Sequence, residues 1–378
     1  MENLAHTLLG LTLAKAGLER ATPLATTALV VSSNLPDIDV ITGTGGTIAY
    51  LNHHRGFTHS LVGLALLSLV LTFVLAWVDR KFRLRRDPFR RPLRPVIIFA
   101  ISYLGGLGHL LMDFTNNYGV RPLIPFSDRW FYGDIIFVVD PWIWLILGSA
   151  AVWLTTVDPG RAAVLPRLFI ALRLIFWIVV GAGTALVIAL ALREPAGRLD
   201  PVPLLARLVW FGGFLIILTG VATGWGRAGA RLARYSLAIL LFYYAGMWMA
   251  HQSALGQARD SIPAEGLTTV SAWPTPANPA LWSAVATTDR TAYTRLVRLN
   301  QDAPEWRELP LLEPQLLDAL KRTRYTRDFL DFMRYGAANV EERADGYTVT
   351  LRDLRFNLSL RADIDREMNV VSAHARWN

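Results

Sequence analysis

The chain contains no cysteine. That excludes disulfides, thiolate zinc sites and iron–sulfur ligation, so any metal must be held by imidazole and carboxylate, a donor set suited to zinc, manganese or iron. Histidine is scarce as well, seven in 378 residues, so a local cluster of it carries information. Charge is low for a soluble protein: 18% of residues are charged against 53% hydrophobic, with 13 Trp and a mean hydropathy of +0.33. This balance excludes an ordinary soluble globule and points to a membrane region followed by a soluble one. The formal net charge of +8 is mostly arginine in short loops between apolar segments. There it reports topology and contact with anionic lipid, and a nucleic-acid partner is not expected. Beyond Ile135 the apolar segments hold almost no ionisable residue. That argues against an ion transporter, which places such groups near mid-span in several helices. No basic region precedes the apolar run Leu8 to Leu13, so it reads as mature protein and not as a secretory signal.

Two apolar pieces come first, about Leu4 to Leu18 and Leu24 to Asn34. Each falls short of the roughly 20 residues a span needs, and together they fit a helical hairpin dipping into the membrane. Six longer candidates follow: roughly Leu61 to Val78, Val96 to Phe114, Ile135 to Thr155, Leu168 to Leu192, Leu208 to Trp225 and Leu232 to Ala250. The loop after the first carries Arg80, Lys81, Arg83, Arg85, Arg86, Arg90, Arg91 and Arg94 against only Asp79 and Asp87. The positive-inside rule places it in the cytoplasm, and alternation puts Arg161, Arg167, Arg227, Arg231 and Arg234 there too. The stretch His53 to His59, the loop from Thr115 to Asp134 and the carboxyl terminus then lie outside. The expected fold is mainly α: a polytopic helical membrane domain over residues 1–256, with a metal site within 1–145, then a small extracytoplasmic α+β domain over 257–378. In that domain Trp273 to Pro279 reads as a Pro-rich linker. Strands are expected near Leu281 to Thr287, Thr291 to Leu299, Ala337 to Glu342, Tyr347 to Asp353 and Asn369 to Ala375, with one helix from about Glu313 to Tyr335.

His109 and Asp113 lie four apart in an apolar helix and so project from one face, one turn apart, a spacing at which both can share a metal. The inferred topology brings that helix end to the side of His59, of the turn carrying Asp37 and Asp39 after Pro36, and of His6. Ionisable groups at a membrane boundary are costly and functional by default. So many nitrogen and oxygen donors exceed one tetrahedral ion, which suggests two ions bridged by a carboxylate. Arg55 in the same stretch suits a phosphate. Water held by such ions deprotonates near neutral pH, so the implied chemistry is hydrolysis, most naturally of a phosphoester in a lipid or lipid-linked substrate. Within that scheme Asp37 and Asp113 are candidate proton carriers and Arg55 the group that offsets developing charge. The rival reading is a non-catalytic membrane scaffold or regulatory protein, with a metal-ion transporter behind it.

Four ordered motifs carry a resemblance: His6-x-x-x-Gly10, Leu35-Pro36-Asp37-Ile38-Asp39, His54-Arg55-Gly56-Phe57-Thr58-His59-Ser60 and Gly108-His109-x-x-x-Asp113. In this order they resemble the YdjM-type family of bacterial inner-membrane metal-dependent hydrolases. The resemblance implies a divalent-metal site on His6, Asp37, Asp39, His54, His59, His109 and Asp113, holding one or two ions, zinc first. A more distant similarity is to zinc-dependent phospholipase C and related single-strand nucleases, an analogy that transfers no substrate. His53 adjoins His54, so either imidazole could bind. Asn117 could line the pocket, Asp128, Arg129 and Asp134 occupy the outer loop, and Asp140 before Pro141 reads as a helix cap.

Overall fold

The computed structural model describes residues 1–148, 204–223, 229–263, 265–299, 305–356 and 358–377. Helix α1 (Asn3–Lys15) starts where Glu2 accepts from Ala5 N, and α2 (Ala25–Ser32) follows a short turn. At ~20 Å or less neither can cross a bilayer, and they pack on each other as the expected hairpin. Their approach depends on Gly10, where a Cβ would stand 2.8 Å from Leu29 O. A 3₁₀ segment (Leu35–Gly45), opened by Pro36, carries the two aspartates, and α3 (Thr47–His53) returns the chain to the histidine stretch.

Helix α4 (Leu61–Val78) is capped by Ser60, whose Oγ accepts from Gly63 N at 2.9 Å, and continues in wider π-type turns to Leu84. Helix α5 (Pro95–Phe114) has proline at its first position, where no N–H is needed. The two run antiparallel, for Leu93 N donates to Asp79 Oδ2 at one end and Leu61 N to Pro122 O at the other. Among the described residues, Leu61–Leu84 and Pro95–Phe114 are the two helices long and apolar enough to cross a membrane. The segment expected from Ile135 is loop as far as Asp140; α6 (Pro141–Leu147) begins there, and Asp140 Oδ1 caps it by accepting from Trp142 N. Helices α7 (Leu204–Thr223) and α8 (Gly229–Asp260) occupy the later expected spans, whereas Leu168 to Leu192 lies outside the described residues. The compositional change near Gln257 falls in the last turn of α8.

Beyond α8 come two antiparallel four-stranded meanders. The first is β1 (Thr269–Thr275), β2 (Asn278–Thr287), β3 (Thr291–Arg298) and β4 (Arg307–Pro310); the second is β5 (Gly336–Arg343), β6 (Gly346–Asp353), β7 (Leu358–Asp365) and β8 (Val370–Trp377). The expected strands coincide with β2, β3, β5, β6 and β8, two of them overrunning by one residue, at Leu299 and Asn369. The Pro-rich stretch is not a linker: it is β1 and its hairpin, with Pro274 opposite Trp282 and Ala277 at a φ of 56°. Proline is tolerated there because β1 is an edge strand. The expected single helix is two, α9 (Pro314–Arg322) and α10 (Arg324–Phe332), divided at Thr323, which takes an extended backbone.

The sheets share their cores with the helices. Leu51 of α3 and Tyr118 pack with Leu320, Phe329 and Phe332, and Leu8 and Met247 pack with Trp282. Two arginines fasten the second sheet to the loop after α5. Arg334 Nη1 donates to both oxygens of Asp134 at 2.9 and 2.8 Å, and Arg355 Nη1 donates to Asn117 O at 3.3 Å.

Candidate metal centre

The inner face of α5 carries Ser102, Gly105, His109 and Asp113, all buried at helical spacing. At Gly105 a Cβ would meet Ser32 Oγ at 2.1 Å, so α5 lies against the end of α2, and one turn later His109 Nδ1 reaches Ser33 O at 2.8 Å. A carbonyl only accepts, so Nδ1 carries a proton, and in the neutral ring Nε2 presents its lone pair. His59, just before α4, has its Nδ1 at 3.1 Å from Asp39 Oδ2. Its Nε2 faces His109 Nε2 at 3.0 Å.

Two carboxylates close the cluster. From His59 Nε2, Asp37 Oδ1 and Asp113 Oδ2 each lie at 3.4 Å; from His109 Nε2 they lie at 3.7 and 3.3 Å. A tetrahedral ion bound at about 2.0–2.1 Å sets its donors about 3.3–3.4 Å apart. Asp37, His59, His109 and Asp113 therefore fit a divalent cation in spacing and in chemistry, and both imidazoles carry the outer hydrogen bonds that orient metal ligands. A second group, Asp37, Asp39 and His54, shares Asp37 with the first.

Asp39 organises the histidine stretch. Its Oδ1 meets His54 Nδ1 at 2.8 Å, and its Oδ2 accepts from Arg55 N at 3.0 Å and Thr58 Oγ1 at 2.7 Å. Arg55 adopts a φ of 55°, a turn that lets its amide serve Asp39 while its side chain goes elsewhere. That guanidinium is 2% exposed. It donates from Nη2 to Asp113 Oδ1 at 3.0 Å and from Nη1 to Asn116 Oδ1 at 3.0 Å, Gly119 O at 3.2 Å and Asp113 O at 3.3 Å. Its terminal nitrogens are thus spent on the protein, a different setting from the anion contact expected of it.

Burial alone would raise the Asp37 carboxyl, but His59 and His109 pull it down to about 2. Burial likewise opposes Asp39, yet His54 and His59 hold it well below the usual carboxylate range. Burial would lower His59, but hydrogen bonds to Asp113, Asp37 and Asp39 outweigh that and push it up to about 10.

His6 stands beside this group, its ring stacked on His109 with centroids 3.7 Å apart and its Nε2 3.5 Å from Asp113 Oδ1. His54 is buried while His53 is exposed. Asp134 pairs with Arg334 and Asp140 caps α6, while Asp128 and Arg129 are exposed. A cavity of about 380 Å³ opens beside the cluster, lined by Asp37, His54 and Arg55 and walled by Tyr50, Tyr118, Phe356 and Trp377. Phe356 lies in the turn between β6 and β7, and Trp377 ends β8. Asn117 is fully buried and absent from that lining; Tyr118 takes the position instead. The aromatic wall and Ser33 O escaped sequence reasoning, since nothing local marks either.

The family described as YdjM inner membrane protein matches residues 1–185, just under half of the chain. The uncharacterized protein YfhP of Bacillus subtilis (strain 168) is 28% identical over 134 residues, which cover 35% of this chain and 38% of that protein. No solved structure matches the chain.

Proposed function

We propose that the chain is a membrane-embedded metal-dependent hydrolase that cleaves a phosphoester in a lipid or lipid-linked substrate. The observation that carries this reading is the convergence of two imidazole Nε2 atoms, 3.0 Å apart, and two carboxylate oxygens 3.3 to 3.7 Å from them, with both Nδ1 atoms tied elsewhere. Bare lone pairs so close repel one another, and a cation relieves that repulsion. A divalent ion, zinc first with manganese or iron as alternatives, supplies Lewis acidity at a phosphoryl oxygen and lowers the pKa of water toward neutrality.

The chain's own residues divide the remaining work. His59, His109, Asp37 and Asp113 are the ligands; His54 and Asp39, with Asp37, offer a second position, and His6 backs His109. Asp37 lines the cavity and takes the proton from the attacking water. Arg55 acts through Asp113 by fixing that carboxylate and offsetting its charge. The lipid assignment rests on the cavity rim: Val40 lines it, and its neighbours Ile38 and Ile41 are exposed on the same segment. Exposed aliphatic residues beside a metal cluster suit contact with the bilayer.

The protein is multi-pass in this reading. The basic loop is cytoplasmic and the metal cluster and sheets lie on the opposite side. In support, Arg234 Nε donates to Ala16 O, which sets the basic end of α8 at the end of the helices where the Arg-rich loop meets Thr22. Purified in detergent, the protein should carry one or two equivalents of metal by elemental analysis and hydrolyse members of a phosphodiester and phospholipid panel, with activity lost on chelation. Undiminished metal in both His59→Ala and His109→Ala, or none in the parent after metal-replete growth, rejects the reading. Bound metal without hydrolysis of any panel member favours a scaffold.

A further inference from the structure

A groove of about 900 Å³ runs along α4 and α5 at the end away from the metal cluster. Its apolar walls are Leu69, Phe73 and Ala76 of α4 and Val96 and Phe99 of α5, and its mouth carries Arg80 and Lys81. Leu69 and Arg80 stand roughly 16 Å apart along the helix at 1.5 Å per residue. One leaflet of a bilayer contributes about 15 Å of hydrocarbon, so the groove is one leaflet deep, with its cations at headgroup level.

The charges at the mouth select the headgroup. Neither Arg80 nor Lys81 has a carboxylate partner among the described residues; Lys81 Nζ lies 4.7 Å from the centre of the Trp77 ring. The nearby acids are already engaged: Asp79 accepts from Arg83 Nε and Leu93 N, and Asp87 accepts from Arg90 Nε. Among the described residues no free carboxylate is left here to meet the ammonium of a zwitterionic lipid, whereas two cations remain for a phosphate.

We propose that this groove is a binding site for one anionic glycerophospholipid, its acyl chain along α4 and α5 and its phosphate between Arg80 and Lys81. The site is independent of the metal cluster. It differs from diffuse attraction to the basic loop in having an apolar bed for the chain and two particular cations for the head.

Native mass spectrometry of the full chain, released from detergent micelles titrated with phosphatidylglycerol or phosphatidylcholine, tests this directly. The parent should retain one phosphatidylglycerol in preference to phosphatidylcholine. Arg80→Gln with Lys81→Gln should weaken that binding about 30-fold, since each basic residue near an anionic surface contributes about five-fold. Ala76→Phe, which fills the groove and leaves the charge alone, should also displace the lipid. Arg85→Gln with Arg86→Gln removes the same charge outside the groove and should bind as the parent does. Equal loss in the two double variants, equal retention of both lipids by the parent, or undiminished binding in Ala76→Phe overturns the proposal.

Discussion

The two ends of the α4–α5 pair treat charge in opposite ways. At one end Asp113, Arg55, His59 and His109 are fully or nearly fully buried, and each meets an opposite or complementary group within 3.5 Å. At the other, Arg80 and Lys81 stand beside an apolar groove and meet no acid among the described residues. Burying ionisable groups costs several kcal/mol each unless the surroundings compensate, so such a cluster persists where its members hold one another or an ion. Cations at headgroup level carry little such cost, because lipid phosphates and water can satisfy them. The contrast separates the proposed cation site from the proposed anion site.

Breaking the buried end gives the largest expected effect. Asp113→Ala removes a proposed ligand and leaves Arg55 buried without its counter-ion, a loss of about 3–5 kcal/mol when one member of a buried pair goes. Melting temperature and metal content should both fall. The double replacement Asp113→Leu with Arg55→Met should recover much of the melting temperature while metal stays lost. Recovery of metal together with stability would mean that Asp113 serves the fold alone. Next in size is Asp39→Asn. Asp39 meets His54, the Arg55 amide, Thr58 and His59, so the fold should survive while metal affinity drops about 10- to 100-fold, the usual cost of losing an orienting partner. Competition against a chromophoric chelator measures it, and unchanged affinity would deny Asp39 its orienting role.

These tests fall on residues that were unequally legible. His109 and Asp113 could be placed on one face from their spacing, because helical period is a local property. Asp37 and Asp39 could be seen to belong near the cluster, but the sequence does not show what separates their surroundings. What distinguishes them is that four donors converge on Asp39 while Asp37 faces the cavity, and that depends on chain segments far away in sequence. Arg55 read as an anion contact because a guanidinium in a polar motif usually is one; its partners Asn116 and Gly119 follow a loop that no local pattern describes. In the first sheet, reading proline as a break hides β1. Pro274 sits on an edge strand, and β7 was passed over although Leu358, Leu360, Ala362 and Ile364 alternate inward as a half-buried strand requires. The division of α9 from α10 was written in Thr323, a residue type that favours helix starts.

The smallest expected effect concerns a buried carboxylate satisfied by neutral donors alone. Asp140 caps α6 through Trp142 N and Ile143 N and accepts from Tyr243 Oη at 2.8 Å, with no cation among these partners. Burial therefore wins over the hydrogen bonds and pushes its carboxyl up to about 6. A carboxyl raised on folding favours the folded state while protonated, so its contribution is complete below the unfolded value near pH 4 and is lost as pH rises through about 6. Asp140→Asn keeps a good cap and cannot ionise. Over pH 4 to 7 in detergent the parent's melting temperature should fall by a few degrees relative to the variant, a size consistent with one such group in a chain of this length. Parallel curves would show that neutral donors hold the ionised Asp140 as well as a cation would, and that the cluster's pairing is not what makes its charges tolerable.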